Sequence, residues 1–398
     1  MASLVISMQA VEGPPYQSDV LPKGDEYYDL RDGLRNSWLK FEREKTGRIA
    51  FLGGSITQSS GWRDQVIAYF QEKFPQTKFD FISAGIGSLG SVPHSFRLER
   101  DVLSRGPVDL LFLEAAVNDA SNIPEHPEQM LRGMEGVVRH MRLMNPFTDI
   151  VHMHFVMPEH MVDYNNGKIP VAIAHHEKVA TAYGNPTLNL ALEVTDRINA
   201  GEFTWSNDFK DLHPAPFGHQ LYANSIKRML SAAFSRHSIG TTKNIHLLPE
   251  PVDPRNYFQG RLGNISAARV LKDFHIDQAW KPTDSKKTRP GFVDVPTLIG
   301  EKIGAEFEVG FDGTVFGLFL TSGPDAGRIE FSIDGSSYRS VSTYTRWSAE
   351  LHLPWAVILD DGLKKGRHLA RVRIAENRDD KAKGNALRVQ HFLLNGDG

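Results

Sequence analysis

Between Ile49 and Phe234 the chain keeps changing its hydrophobic period: short apolar runs alternate with longer stretches whose apolar residues recur every three or four positions. The run Val108–Leu113 has no polar alternation after Asp109, the pattern of a strand covered on both faces. Such strands alternating with helices fold as an open parallel sheet between two helical layers, with right-handed crossovers. The expected strands are Ile49–Leu52, Lys78–Ile82, Val108–Leu113, Asp149–Val156 and Thr187–Leu190. The expected helices are Asp32–Glu44, Trp62–Phe74, Ser95–Leu103, Pro127–Met144, Val171–Tyr183, Ala191–Ala200 and Gln220–Phe234.

At 398 residues the chain exceeds what one small core absorbs, so two domains are expected. The character changes around Ser235–Arg261, where Pro249-Glu-Pro-Val-Asp-Pro254 breaks any helix and stiffens the connection. Beyond it lie short runs of β-branched and aromatic residues: Glu306–Phe311, Thr314–Leu320, Arg328–Ile333, His368–Ile374 and Ala386–Leu393. Asp312-Gly313 and Asp334-Gly335 fall between such runs and predict hairpins. The expected organisation is an N-terminal extension and helix over residues 1–45, an α/β catalytic domain over 46–236, a linker over 237–262 and a jelly-roll-like β-sandwich over 263–398.

The formal net charge is −3 and no long run of lysine or arginine occurs, so neither nucleic acid nor an anionic membrane is an expected partner. No stretch approaches the length of a membrane helix. The absence of cysteine excludes disulfides, thiolate metal sites and thiol nucleophiles. The first ten residues, ending in Ala10, read either as the remnant of a secretory signal or as a loose terminus. A secreted or periplasmic location is therefore set against a cytoplasmic one.

The first strand stops at Gly53-Gly54, a pair that permits a tight turn, and Ser55 follows at the carboxyl end of the sheet, where open α/β folds gather their functional groups. Read alone, Gly-Gly-Ser is a turn with a helix-capping serine. Three further stations sit in loops of the same alternating region: Gly85 in Ser83-Ala-Gly-Ile-Gly87, Asn118 in Ala116-Val-Asn-Asp119 and His213 in Lys210-Asp-Leu-His-Pro214. With serine, glycine, asparagine and histidine in that order, residues 48–234 resemble the SGNH (GDSL-type) hydrolases. The resemblance implies a flavodoxin-like sheet of five parallel strands and an ester-hydrolysing site.

Ester hydrolysis needs a nucleophile, a base and donors aimed at the developing oxyanion. Ser55 is the candidate nucleophile and His213 the base, later the acid for the leaving alcohol. The candidate oxyanion hole is the backbone N–H of Ser55, the backbone N–H of Gly85, where a glycine lets substrate approach the main chain, and the side-chain amide of Asn118.

The chain departs from the family pattern at three places. Gly54 stands where an acidic residue is usual, and Ser83 replaces an asparagine. Lys210 occupies the position three before the histidine, where the triad acid normally lies. Two carboxylates are close enough in sequence to substitute: Asp211, whose spacing of two places it on the same side of an extended segment as His213, and the alternative acid Asp208. Arg97 is a candidate for an anionic substrate group, against the plainer reading of an ion pair.

Several rivals share these residues. Gly85-Ile-Gly-Ser-Leu-Gly90, with Glu114 after the next strand, spells a dinucleotide fingerprint and an NAD-dependent oxidoreductase. Against it, the motif follows the second strand, Pro93-His94 interrupts the expected helix start, and Ser55, Asn118 and His213 stay unexplained. His152, His154 and His175-His176-Glu177 raise the question of zinc, but the metalloprotease spacing is missing and packed histidines are expected. No metal and no cofactor are expected. The expected activity is a serine esterase removing short acyl groups, acetyl foremost, from carbohydrate hydroxyls, so the expected partner is an acetylated carbohydrate or other small ester. Transfer of the acyl group to a sugar, lipase, arylesterase or thioesterase activity, and a carbohydrate-binding protein with an inactive hydrolase half are the alternatives. The substrate class rests on the β-rich half, where Tyr338, Tyr344, Trp347 and Trp355 could stack on sugar rings, and on resemblance to two-domain carbohydrate esterases.

Overall fold

The structure, a computed structural model, describes residues 24–236 and 242–396. The reading of the first ten residues as a signal remnant lies outside the described residues. Packing divides the chain into two units. The first runs up to Ile86 and includes Gly106–Leu131 and Met141–Val252; the second comprises Gly87–Arg105, Arg132–His140 and everything from Asp253 onward.

In the first unit the strands are β1 (Tyr28–Asp29), β2 (Thr46–Gly53), β3 (Lys78–Gly85), β4 (Leu110–Leu113), β5 (Asp149–Met153) and β6 (Thr187–Leu188), in the spatial order β1-β6-β5-β4-β2-β3. The five predicted strands β2 to β6 are mutually parallel, and their order is that of the flavodoxin-like doubly wound fold. The two-residue β1 adds an antiparallel edge on β6, too short to leave an apolar run in the sequence. Chain order interleaves helices α1 (Arg35–Glu42), α2 (Ser55–Gln58), α3 (Trp62–Lys73), α4 (Ser91–Asp101), α5 (Ala116–Asn122), α6 (Pro127–Met144), α7 (Pro158–Asn165), α8 (Val171–Ala182), α9 (Leu190–Asn199) and α10 (Pro216–Ser235).

Burial explains the pattern of β4, whose four residues are all inaccessible to solvent. Leu110 and Phe112 join one apolar cluster with Phe51, Trp62 and Phe70, and Leu111 and Leu113 point to the opposite face. Phe51 stacks on Phe112 at 5.2 Å with their planes 7° apart, and its edge meets Trp62 at 5.7 Å. The Trp62 indole donates to the Ile56 carbonyl at 3.1 Å, tying α3 to the short helix that begins at Ser55.

Helix α4 begins at Ser91, ahead of Pro93, where an interruption was expected. The reason is positional: in the first turn of a helix an N–H is not needed, so proline is tolerated there. Helix α4 belongs by packing to the second unit, where Phe96 meets Tyr257 at 5.3 Å and a Cβ on Gly260 would lie 2.8 Å from the Ser95 carbonyl oxygen.

The strands of the second unit are β7 (Gly260–Asn264), β8 (Arg269–Lys272), β9 (Phe274–Trp280), β10 (Lys287–Thr288), β11 (Val295–Gly300), β12 (Glu306–Gly313), β13 (Phe316–Ser322), β14 (Arg328–Ile333), β15 (Arg339–Ser342), β16 (Leu351–Asp360), β17 (Gly366–Ile374) and β18 (Leu387–Asn395). They form a seven-stranded sheet, β10-β16-β13-β18-β11-β9 with β7 on β18, and a five-stranded sheet, β15-β14-β17-β12-β8. Phe307, Phe311, Phe316, Leu318 and Phe392 fill the core. Asp334-Gly335 joins the paired strands β14 and β15, as a hairpin should. Asp312-Gly313 does not make a hairpin: β12 pairs with β17 and β8, and β13 with β16 and β18, so the chain crosses there between sheets. Glycine is required because a Cβ at Gly313 would stand 2.5 Å from the Asn395 carbonyl oxygen. Among the described residues no helix is long and apolar enough to cross a membrane.

Of the histidines flagged in the sequence, His152, His154 and His176 are interior groups and His175 is half-buried. Asn185 donates to His152 Nε2 at 3.0 Å, and His154 and His176 donate to Glu177 and Asp119, each at 2.8 Å. Burial pushes His152 and His154 down, and holds His160 near 4 although its Nδ1–H donates to the Phe155 carbonyl at 3.2 Å.

Two predictions follow from this packing. Phe51→Ala should cost about 3–5 kcal/mol in urea-induced unfolding of the first unit, through lost burial and the cavity left behind. A histidine whose folded value lies below its unfolded one, about 6.5, binds its proton more readily when unfolded. Stability should therefore be complete above pH 6.5 and fall as the pH drops towards 4, by up to about 1.4 kcal/mol per pH unit for each such histidine. Urea titrations at pH 7 and pH 5 check this, and His160→Gln should make the difference smaller.

Candidate active site

Strand β2 ends at Gly53, and Ser55 opens α2. Its neighbours in the sheet are β3 and β4, so the loops after all three strands converge at the same edge. Gly53 and Gly85 are directly paired in the β2–β3 ladder, and Leu52 and Leu113 in the β2–β4 ladder. Gly85 must be glycine for a local reason: a Cβ there would lie 2.3 Å from the Gln58 backbone nitrogen, in the body of α2. That tight approach of α2, rather than a pyrophosphate, accounts for the first glycine of the dinucleotide-like motif. Asn118, half-buried, sits in the first turn of α5, just beyond β4. The candidate oxyanion donors Gly85 and Asn118 thus lie at or just beyond the ends of the strands on either side of the one that leads to the serine.

His213 arrives from the far end of the unit. A π turn, Trp205–Phe209, is closed by Lys210 in the left-handed region (φ 73°), and the following loop leads into α10. This brings His213 Nε2 to 2.7 Å from Ser55 Oγ. The acid is less tightly placed. Asp211 Oδ1 accepts the His213 backbone N–H at 3.2 Å and lies 3.8 Å from Nδ1, beyond hydrogen-bond length, with the Asp211 side chain 64% exposed. Asp208 accepts instead from the Thr204 backbone and hydroxyl, at 2.8 and 3.1 Å.

Arg97, a candidate for an anionic substrate group against the plainer reading of an ion pair, makes the ion pair, though not at the surface: it is fully buried in α4, and its guanidinium donates to Asp101 at 2.7 Å. Burial without a partner would be prohibitive for such a cation, and the aspartate one helical turn on supplies the charge. Of the four aromatics proposed as sugar platforms, Tyr338 and Trp347 are exposed, each with an arginine over its ring: Arg373 at 3.9 Å and Arg346 at 4.5 Å. Trp355 packs against the sandwich core, and Tyr344 is half-buried. A cavity of about 900 Å³ lies elsewhere in the first unit, lined by Asp32, Arg35, Arg142 and Asp149; Asp149 starts β5, so the cavity opens at the amino end of the sheet, opposite to the serine.

Read from sequence, Glu114 has a role only in the rejected dinucleotide fingerprint. Its carboxylate accepts the Gly54 N–H at 2.6 Å and the Thr57 hydroxyl at 2.7 Å, so it braces the serine turn where a ribose-binding acid was considered. The sequence signal that was present is an acid at the end of a buried strand.

Residues 51–221 match the family model described as GDSL-like Lipase/Acylhydrolase family. A search of curated protein sequences returns no match. Among solved structures, a two-domain esterase active on acetylated mannans, co-crystallised with mannopentaose, is 21% identical and superposes with a TM-score of 0.71 over 93% of this chain and 99% of its own. A second structure of a two-domain esterase active on acetylated mannans gives 22% identity and a TM-score of 0.70 with the same coverage. At such identity the likeness shows a shared fold, and it extends over both the α/β and the strand-rich parts. Residues 51–221 thus form a GDSL-like lipase/acylhydrolase domain, the domain of a carboxylic ester hydrolase, and it is joined to a strand-rich second part.

Proposed function

We propose that this protein is a serine esterase that removes short acyl groups, acetyl foremost, from carbohydrate hydroxyls through an acyl-enzyme. The observation that carries the reading is the 2.7 Å contact between Ser55 Oγ and His213 Nε2 at the carboxyl end of β2. Support for the substrate comes from the shared two-part fold with an esterase active on acetylated mannans. A polymeric carbohydrate substrate fits a secreted or periplasmic setting.

In the proposed mechanism His213 Nε2 takes the Ser55 hydroxyl proton as Oγ attacks the acetyl carbonyl carbon. The N–H groups of Ser55 and Gly85 and the Asn118 amide receive the negative charge that grows on the carbonyl oxygen. The imidazolium then returns its proton to the departing sugar oxygen, and the acyl group remains on Ser55. Water, deprotonated by the same imidazole, attacks the acyl carbonyl and releases acetate and the free serine. Asp211 is the proposed acid. It fixes the loop by capping the His213 backbone and favours the imidazolium by its charge, a weak effect for so exposed a group. The catalytic groups fall within 46–236, which we take as the catalytic domain, with 263–398 as a carbohydrate-binding partner domain.

Ser55→Ala and His213→Ala should each lower kcat for p-nitrophenyl acetate and for acetylated mannan oligosaccharides by about 10⁴-fold or more with unchanged circular dichroism. Asn118→Ala should lower kcat by about 10²–10³-fold and leave KM nearly as it was, since the amide acts on charge absent from the ground state. Between the acids, Asp211→Asn should reduce kcat/KM by no more than about tenfold, as its exposure implies, and Asp208→Asn by less; a larger loss in Asp208→Asn would transfer the role.

A further inference from the structure

We infer that Glu114 is a positioning residue for the nucleophile, its buried carboxylate clamping the turn that carries Ser55. The inference rests on Ser55 being the nucleophile, as proposed above. Glu114 directly follows β4, and its own N–H donates to the Leu52 carbonyl at 3.1 Å, so its backbone is fixed beside the end of β2. The side chain is 2% exposed.

One carboxylate oxygen, Oε1, takes both the Gly54 N–H and the Thr57 hydroxyl, the residue before Ser55 and the second one after it. Charge-assisted bonds of this kind are stronger than neutral ones. A side chain at position 53 would displace the clamp, because a Cβ on Gly53 would stand 2.1 Å from Oε1 and 2.4 Å from Thr57 Oγ1.

The clamp answers a specific need. Gly53-Gly54 gives the turn more backbone freedom than any other pair, and α2 has only four residues with no side-chain cap at its start. A nucleophile must be held to within roughly half an ångström to react efficiently, and a misplacement of about 1 Å can cost 10²-fold. Glu114 supplies from β4 the restraint that the turn lacks within itself. A residue acting in this way changes the chemical step and leaves substrate binding alone.

The test is the pre-steady-state release of p-nitrophenol from p-nitrophenyl acetate by the full chain. Glu114→Ala should slow acylation by about 10²-fold with KM within about threefold of wild type. Glu114→Gln, which keeps an acceptor oxygen for Gly54, should recover to within about tenfold of wild type, and Thr57→Val, which deletes one of the two bonds, should fall between them. Wild-type acylation in Glu114→Ala overturns the inference; should that variant fail to fold, wild-type acylation in Thr57→Val does so. Ser55→Ala run alongside separates the two readings. A burst that persists there defeats the nucleophile assignment, whereas a burst lost in Ser55→Ala but untouched in the Glu114 and Thr57 variants defeats the clamp alone.

Discussion

The hydrogen bond between Ser55 and His213 joins residues 158 positions apart, and the first unit can be understood as the apparatus that closes this distance. A parallel sheet does so at low cost in strain, because every crossover returns the chain to the same edge. Strand β2 lies inside the sheet between β3 and β4, so the serine, the glycine and the asparagine arrive from adjacent strands. Only the histidine needs a special approach, and the π turn with left-handed Lys210 provides it.

Around that contact the protein buries charge in a consistent way. Glu114, Asp119 and Arg97 are each almost wholly removed from water, and each is held by a named partner: the serine turn, His176 and Asp101. A buried ion is tolerated only when its hydrogen bonds are supplied, and breaking one partner leaves the other stranded. Two of these groups flank the candidate oxyanion donor, Glu114 before Asn118 and Asp119 after it. The β4–α5 connection is thereby fixed at both ends while Asn118 between them stays half-buried. The acid proposed for His213 contrasts with this, since Asp211 is largely exposed and farther from Nδ1 than a hydrogen bond allows.

Most of the first unit was legible because buried parallel strands leave runs such as Leu110–Leu113 that are apolar on both faces. What escaped had no comparable local signature. Strand β1 is two residues long and takes its place only from pairing with β6. Asp312-Gly313 has hairpin chemistry, yet the strands it joins belong to different sheets, a choice made by their distant partners β17 and β18. Arg97 looks like any surface cation until α4 is seen to pack with the second unit, where Asp101 neutralises it. Glu114 was visible as an acid at a strand end, but which turn it braces depends on β4 lying next to β2, a fact of sheet order. Serine and histidine could be chosen by their order in the chain; the acid could not, because its role depends on distances of a few tenths of an ångström.

The central claim is that Ser55 Oγ becomes acylated, and trapping that intermediate tests it most directly. The protein mixed with p-nitrophenyl acetate and quenched in acid within the burst should yield, on peptide mass analysis, one acetyl group carried by the peptide containing Ser55. No such adduct should appear in the same peptide from His213→Ala. An acetyl group found on another residue, or full turnover with Ser55 never modified, would contradict the account.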